Sequence, residues 1–333
     1  MKLLKSFAVL VLLGSFFACL GAFAQTQVET PPAPGRLGGP PPDAPPPKDV
    51  PPGPYPVTVE TDPSLPTHTV YRPTDLSSFE GGKLPIVGWG NGGCIRVGRA
   101  HENFLIKIAS HGFLVVAIGP EDVKLPDLSK LKPGEPLPPM PRSPASDILV
   151  GIDWAIAQTS LSGGLYANKI DTSAIAVMGQ SCSGTQAIAV SRDPRVKTTM
   201  VWNSGVFSRT MPPQVESRMP RGEGQRIIPA TKEDLKAFHA PVAYIIGGPT
   251  DIAYTNAEDD FTRIEGVPLF YANLNVGHGG TFRHPNGGWF GEVGAAWLLW
   301  HLKGEKEAAK MFEGSECGLC VEPVWTIKKK NMK

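Results

Sequence analysis

The sequence predicts an α/β fold: a mostly parallel, doubly wound sheet with helices on both faces. Three observations carry this reading. Leu84 to Trp89 and Phe113 to Ile118 are short, continuous apolar runs, as expected of strands buried on both sides. Between them lie a glycine loop, Gly90-Asn91-Gly92-Gly93-Cys94, and a helical stretch over 99–110 with Phe104, Leu105 and Ile108 on one face. Strand, loop, helix, strand is a βαβ unit, which sets its two strands parallel. The same alternation recurs at 174–190. There Ile175 to Met178 is an apolar strand, Gly179 to Gly184 a run of small residues, and Thr185 to Val190 the start of a helix.

The chain begins with a secretion signal over 1–24. Lys2 and Lys5 precede an apolar stretch, and Ala22-Phe23-Ala24 is a cleavage site before Gln25. The stretch is interrupted at Gly14 and Ser15, which argues against a retained anchor. Ser15-Phe16-Phe17-Ala18 lacks the leucine usual three positions before a lipidated cysteine, which argues against a lipoprotein at Cys19. The mature chain is thus expected outside the cytoplasm, secreted or periplasmic. A proline-rich linker spans 25–56. Its 31–56 portion holds 13 prolines in 26 positions, too little apolar bulk for a core, so it reads as extended and solvated.

The folded domain is expected over 57–314. Val57 to Val59 and His68 to Tyr71 read as two edge strands. A proline-rich excursion covers 120–146, and a loop that long is usually functional. Ser146 or Asp147 caps a helix to about Gln158, with Ile148, Ile152 and Ile156 at four-residue spacing. Thr198 to Trp202 is a strand, followed by a second, polar excursion over 206–232. Lys232 to Phe238 is a short helix. Pro241 to Ile246 is a strand ending at Gly247-Gly248-Pro249-Thr250-Asp251. Glu258 to Ile264 is a helix, so Asp259 and Asp260 read as solvated face. Leu269 to Leu274 is the last strand, ending near Gly277-His278-Gly279-Gly280, and Glu292 to Leu302 is the closing helix. Residues 315–333 form a basic, cysteine-containing tail.

Composition narrows the partners. The net charge of +1, with the two signs mixed, gives no basis for binding nucleic acid or another polyanion, and no membrane contact is expected after signal cleavage. Four cysteines remain in the mature chain: Cys94, Cys182, Cys317 and Cys320. In an oxidising compartment an even set suggests two disulfides, in any of three pairings. The Cys317-x-x-Cys320 spacing also suits a redox pair or half a zinc site, but it follows no first strand and has no second ligand pair.

Ser181 lies on the tight turn between the 174–178 strand and its helix, the position of a nucleophile elbow. A serine hydroxyl needs a histidine to take its proton, and the histidine needs a carboxylate to fix its tautomer. In a doubly wound sheet such groups leave the carboxyl ends of successive strands. Ser181, Asp251 and His278 stand at three such ends, in the order Ser…Asp…His. His111 precedes its strand and so lies at the opposite end. His284, six residues past His278, is a rival base. His68, His101, His239 and His301 fall on edge strands or helices and read as structural.

These stretches resemble the secreted α/β-hydrolases of the dienelactone hydrolase and cutinase-like polyester hydrolase groups. The likeness covers 57–313 and rests on Pro85-Ile86-Val87, Ser110-His111-Gly112-Phe113, Gly179-Gln180-Ser181, Thr250-Asp251-Ile252-Ala253 and Gly277-His278-Gly279, with the Gly294 to Leu298 helix. It implies the α/β-hydrolase fold, Ser181 as nucleophile, Asp251 as acid and His278 as base. It also implies an oxyanion hole built from backbone N–H groups. One comes from Cys182 and the other from the Asn91 to Cys94 loop, at Gly92 or Gly93. The chain departs from the Gly-x-Ser-x-Gly pattern at Ser183, with glycine one residue later at Gly184. Because Cys94 and Cys182 lie in the two loops that meet at such a hole, we expect them to pair, leaving Cys317 with Cys320. Buried free thiols are the alternative.

The function implied is hydrolysis of a carboxylic ester, small or polymeric, with no cofactor and no metal. An acyltransferase or peptidase would use the same triad, and a non-catalytic exported binding protein would keep the same fold. Trp202, after the elbow strand's neighbour, is expected as a substrate wall, with Asn91 as a further substrate contact. Trp89 reads as core, and Trp289 is a weaker wall candidate.

Overall fold

Buried strands at 84–90 and 170–180 form the centre of the observed sheet, which a computed structural model describes over residues 40–77, 82–124, 140–207 and 230–332. The expected secretion signal, residues 25–39 of the linker and most of both excursions lie outside the described residues. The strands are β1 (Val57–Glu60), β2 (His68–Pro73), β3 (Leu84–Gly90), β4 (Leu114–Ile118), β5 (Ile170–Gln180), β6 (Val196–Trp202), β7 (Val242–Ile246), β8 (Leu269–Leu274) and β9 (Trp325–Lys330). They form one sheet in the order β1-β2-β4-β3-β5-β6-β7-β8-β9. The run from β4 to β8 is parallel, and the pairs β1–β2, β2–β4 and β8–β9 are antiparallel. This order and these directions are consistent with α/β-hydrolase topology.

The helices that define the site are α1 (Glu102–Ala109), α2 (Ser146–Thr159), α3 (Cys182–Val190), α4 (Tyr254–Arg263) and α5 (Gly288–Lys303). Two short ones follow, α6 (Lys306–Ala309) and α7 (Gly318–Val321). Side chains alternate across each strand, so one strand feeds two cores. Val87, Trp89, Val115, Ala117, Ala176 and Met178 point to the face covered by α1 and α5, among Phe104, Ile108, Phe290 and Trp297. Their neighbours Ile86, Val116, Ile175 and Val177 point to the other face, among Ile148 and Ile152 of α2. Further along that second face, Val201, Tyr244 and Ile246 meet Ala257 of α4. Burying side chains of this size contributes about 1.5–3 kcal/mol each, so both faces must be covered for the sheet to persist.

Four expectations are corrected. The tail is part of the fold: β9 pairs along the whole of β8, from Leu269↔Lys330 to Leu274↔Trp325, so β8 is not the last strand. Its lysines fit because an edge strand leaves charged side chains free to reach solvent or cap a neighbour. Lys330 Nζ donates to the carbonyls of Phe261 and Thr262 beyond the strand. β2 is internal and buried along its length, so of the two strands expected at an edge β1 alone is one. The carboxyl half of the linker is extended and largely exposed, but it is docked on the body rather than free. Val50 is buried, and three carbonyls of this stretch accept from the body: Pro46 from Trp289 Nε1, Val50 from Asn286 Nδ2 and Pro51 from Lys107 Nζ. A proline-rich chain has few N–H groups of its own, so its carbonyls are open to such donors. Finally, Asp260 is fully buried rather than on a solvated face.

Helix boundaries also move. α1 begins at Glu102 rather than 99, α4 begins four residues before Glu258, and the closing helix α5 begins at Gly288 rather than Glu292. α2 starts at Ser146 with no side-chain cap, and Asp147 sits in its first turn paired with Arg96. Lys232–Ala237 is a 3-10 turn.

Candidate active site

Ser181 sits between the last residue of β5 and the first of α3, with φ 53° and ψ −120°. A left-handed φ is costly for a side-chain-bearing residue, and here the surroundings impose it. The Ser181 N–H donates to the Trp202 carbonyl at 2.9 Å, and its carbonyl accepts from Ser204 Oγ at 2.6 Å. The elbow also needs close backbone approach. A side chain at Gly179 would meet the Ser183 carbonyl oxygen at 2.1 Å. Ser183, where the usual pattern has glycine, is accommodated by a second glycine across the sheet. A Cβ at Gly90 would lie 2.5 Å from the Ser183 Cβ, so the volume gained at one position is absent from the other. The Ser183 hydroxyl donates to Gln186 Oε1 at 2.7 Å and is satisfied.

Asp251 and His278 follow the carboxyl ends of β7 and β8. His278 Nε2 lies 2.8 Å from Ser181 Oγ, and its Nδ1 lies 2.6 Å from Asp251 Oδ1. Asp251 is buried. Its Oδ1 also accepts from the Ala253 N–H, and its Oδ2 accepts from the Gly247 N–H and from Asn203 Nδ2 at 2.7 Å. Burial pushes this carboxyl up. The hydrogen bond and charge of His278, with the Ala253 and Gly247 N–H groups, outweigh that and hold it below the usual carboxylate range. The arrangement can therefore keep Asp251 ionised, hold the imidazole in one tautomer and leave Nε2 facing the serine hydroxyl. The rival His284 is not in this chain of contacts, and His111 lies before β4 at the opposite end of the sheet.

The glycine loop meets the elbow as expected. Gly92–Cys94 is a tight turn with Gly93 and Cys94 both at positive φ, and a disulfide joins Cys94 to Cys182. A Cβ at Gly92 would fall 2.0 Å from Gln180 Oε1, so a side chain there would have to displace the Gln180 amide where the turn passes the elbow. The Cys182 N–H belongs to the first turn of α3, where backbone donors have no intrahelical partner. Cys317 and Cys320 form the second disulfide. Among the described residues no group of three His, Cys, Asp or Glu side chains is placed to hold a metal ion.

Two expected substrate contacts are corrected. Trp202 is fully buried, with its ring packed 5.0 Å from Phe104 and 5.3 Å from Phe290. As the last residue of β6 it turns its side chain into the α1–α5 core, and it reaches the site only through its carbonyl. Asn91 is also fully buried. Its Oδ1 accepts from Trp89 Nε1 and its Nδ2 donates to the Ile118 carbonyl, so it fastens the start of the glycine turn to the sheet. Trp89 is core, as expected, and Trp289 is engaged by the linker.

Sequence reasoning missed Asn203 and Gln180. Asn203 adopts φ 43° and donates to both Asp251 Oδ2 and the Gly277 carbonyl, tying the acid's turn to the histidine's. The signal was available: an asparagine directly after a buried strand is the residue type that best tolerates a left-handed turn. Gln180 donates from Nε2 to the His278 carbonyl at 3.1 Å, and nothing in the local pattern distinguishes it from a surface glutamine.

The chain matches no protein-family model and has no significant match among curated proteins.

Proposed function

We propose that this protein is an exported serine hydrolase that cleaves carboxylic esters through an acyl-enzyme. The observation that carries the reading is the continuous run from Ser181 Oγ through both ring nitrogens of His278 to Asp251, at 2.8 and 2.6 Å. Ser181 attacks the ester carbonyl while His278 Nε2 takes its proton. Asp251 stabilises the imidazolium that results. The oxyanion forms against the N–H groups of Cys182 and of Gly92 or Gly93, where removing one such donor in other hydrolases costs about 3–4 kcal/mol. His278 returns its proton to the departing alcohol, and water completes the cycle by the same route.

Export is supported by the charged and apolar N-terminal pattern and by two disulfides, which persist in oxidising compartments. Among the described residues no helix is long and apolar enough to cross a membrane.

The test is covalent. A fluorophosphonate probe is expected to label the wild type and not Ser181→Ala, and a p-nitrophenyl ester series is expected to lose turnover in the same variant. Equal labelling of both proteins, or turnover unaffected by the substitution, would remove Ser181 from the mechanism. Amide substrates and alcohol acceptors run beside the ester series separate hydrolysis from peptidase and acyltransferase chemistry.

A further inference from the structure

Cys182 directly follows the nucleophile, and Cys94 closes the turn that faces it. Their disulfide spans 5.2 Å between Cα atoms and 88 residues of sequence. We propose that it is a redox latch on the active site: the oxidised protein is competent, the dithiol form is latent, and export into an oxidising compartment switches it on. This rests on the serine hydrolase reading and adds its regulation.

The argument starts from how the turn is held. Both Gly93, at φ 64°, and Cys94, at φ 53°, are left-handed, and Cys94 pays for this as a residue with a side chain. Ser181 across the gap, at φ 53°, is left-handed too. The turn is closed by the Cys94 N–H on the Asn91 carbonyl and the Ile95 N–H on the Gly92 carbonyl, and further hydrogen bonds hold its ends. Asn91 Nδ2 donates to the Ile118 carbonyl, and the Ser143 N–H and hydroxyl both donate to the Cys94 carbonyl. Gly92 and Gly93 between them have no side chains with which to anchor themselves. The disulfide is the covalent tie between this turn and the elbow. Without it, the turn can relax toward a right-handed Cys94 and carry the second oxyanion donor away from Ser181. The triad does not pass through the disulfide: Asp251, His278 and Ser181 are positioned by β5, β7, β8 and Asn203. Nor does the sheet core depend on it. Reduction should therefore reduce transition-state stabilisation and leave the fold in place.

The access is one-sided. Cys94 is buried, and Cys182 is partly exposed beside Ser181. A thiolate of a dithiol reductant attacks the Cys182 sulfur, and Cys94 leaves as a thiolate that takes up a proton. The reductant's second thiol then attacks the mixed disulfide and releases Cys182. Two electrons and two protons pass to the protein, and the reductant becomes a disulfide. Oxidation reverses this, with a disulfide-bearing oxidant accepting the same two electrons and two protons.

The experiment uses the full mature chain equilibrated in dithiothreitol buffers of graded potential. p-Nitrophenyl butyrate turnover is read alongside mass mapping of each thiol. We expect kcat to fall about 100-fold as the Cys94 and Cys182 thiols appear, the scale of losing one oxyanion donor. KM should stay within about two-fold, far-UV circular dichroism should be unchanged, and oxidised glutathione should restore the rate. Cys94→Ser/Cys182→Ser is expected to be fixed at the low rate and indifferent to dithiothreitol. Cys317→Ser/Cys320→Ser is expected to respond as the wild type does. Full kcat in the mapped dithiol form, or in Cys94→Ser/Cys182→Ser, would overturn the latch. So would a rate loss that only follows loss of dichroism. In either case fluorophosphonate labelling of Ser181 in the oxidised protein would leave the hydrolase reading standing. If the oxidised protein shows neither labelling nor turnover, both fall together.

Discussion

Asp251 and Asp260 are nine residues apart, and both are buried and follow β7 in the chain. They are held in opposite ways. Asp251 accepts four hydrogen bonds, from His278, Ala253, Gly247 and Asn203, and its carboxyl is held below the ordinary range. Asp260 accepts from the Val206 N–H, Tyr244 OH and Lys232 Nζ, yet burial dominates and pushes it up to about 6. The difference lies in what each carboxylate serves. Asp251 is surrounded by donors from the turns that bring Ser181 and His278 together, so its charge is stabilised beside the imidazole that the proposed mechanism protonates. Asp260 joins the start of one excursion at Val206 to its end at Lys232, and its charge is a cost accepted for that connection. On the proposed function, the role of a buried aspartate here follows from which elements supply its donors. Depth of burial does not decide it.

The sharpest way to break the comparison is to neutralise each acid. Asp251→Asn is expected to lower kcat about 10⁴-fold, because an amide stabilises neither the right tautomer nor the imidazolium. The melting temperature should stay close to that of the wild type. Turnover within ten-fold of wild type would show that another group orients His278.

Asp260→Ala probes the other half. It removes the acceptor of the Val206 N–H and the Tyr244 hydroxyl, and it leaves Lys232 with Asp259, at 2.7 Å, and the Asn256 carbonyl. Breaking a buried pair from one side costs about 3–5 kcal/mol. The urea midpoint should fall accordingly, while kcat per folded molecule stays within a few-fold. A kcat loss as large as that of Asp251→Asn would erase the distinction between the two acids.

How much of this was legible beforehand follows from the range of the forces involved. The parallel strands and the meeting of Ser181, Asp251 and His278 could be read because apolar runs, small-residue turns and chain order are local signals. The Cys94–Cys182 pairing followed once those turns were placed. Trp202 could not be read correctly. Whether a strand's last residue turns in or out depends on register, and the Gln180↔Trp202 pairing that fixes it is a contact between strands. β9 was hidden because its lysines mark a solvated tail in sequence, and only docking against β8 makes them an edge. Asp260 looked solvated because the lysine that pairs with it lies 28 residues earlier, on the other side of β7 in the chain, where no local pattern links the two.

The smallest expected effect is in the pH dependence of stability, and it has opposite signs at the two acids. Asp260 titrates near 6 in the folded chain against an ordinary 3.8. The folded state therefore keeps a proton that the unfolded state releases. Its contribution is fully present below about pH 4 and is lost as pH rises through 6, a swing of about 3 kcal/mol at 1.36 kcal/mol per unit. Asp251 is held down, so its contribution is present above the ordinary carboxylate range and lost as pH falls through its lowered value. Asp260→Asn removes only the first swing. Between pH 4 and pH 7 its stability should rise relative to wild type by up to about 3 kcal/mol, read as a widening gap in urea midpoints. Below pH 4 the two proteins should weaken in parallel, because Asp251 is intact in both. A gap that stays constant from pH 4 to 7 would mean that Lys232 holds Asp260 ionised throughout. The two buried acids would then differ in role but not in charge.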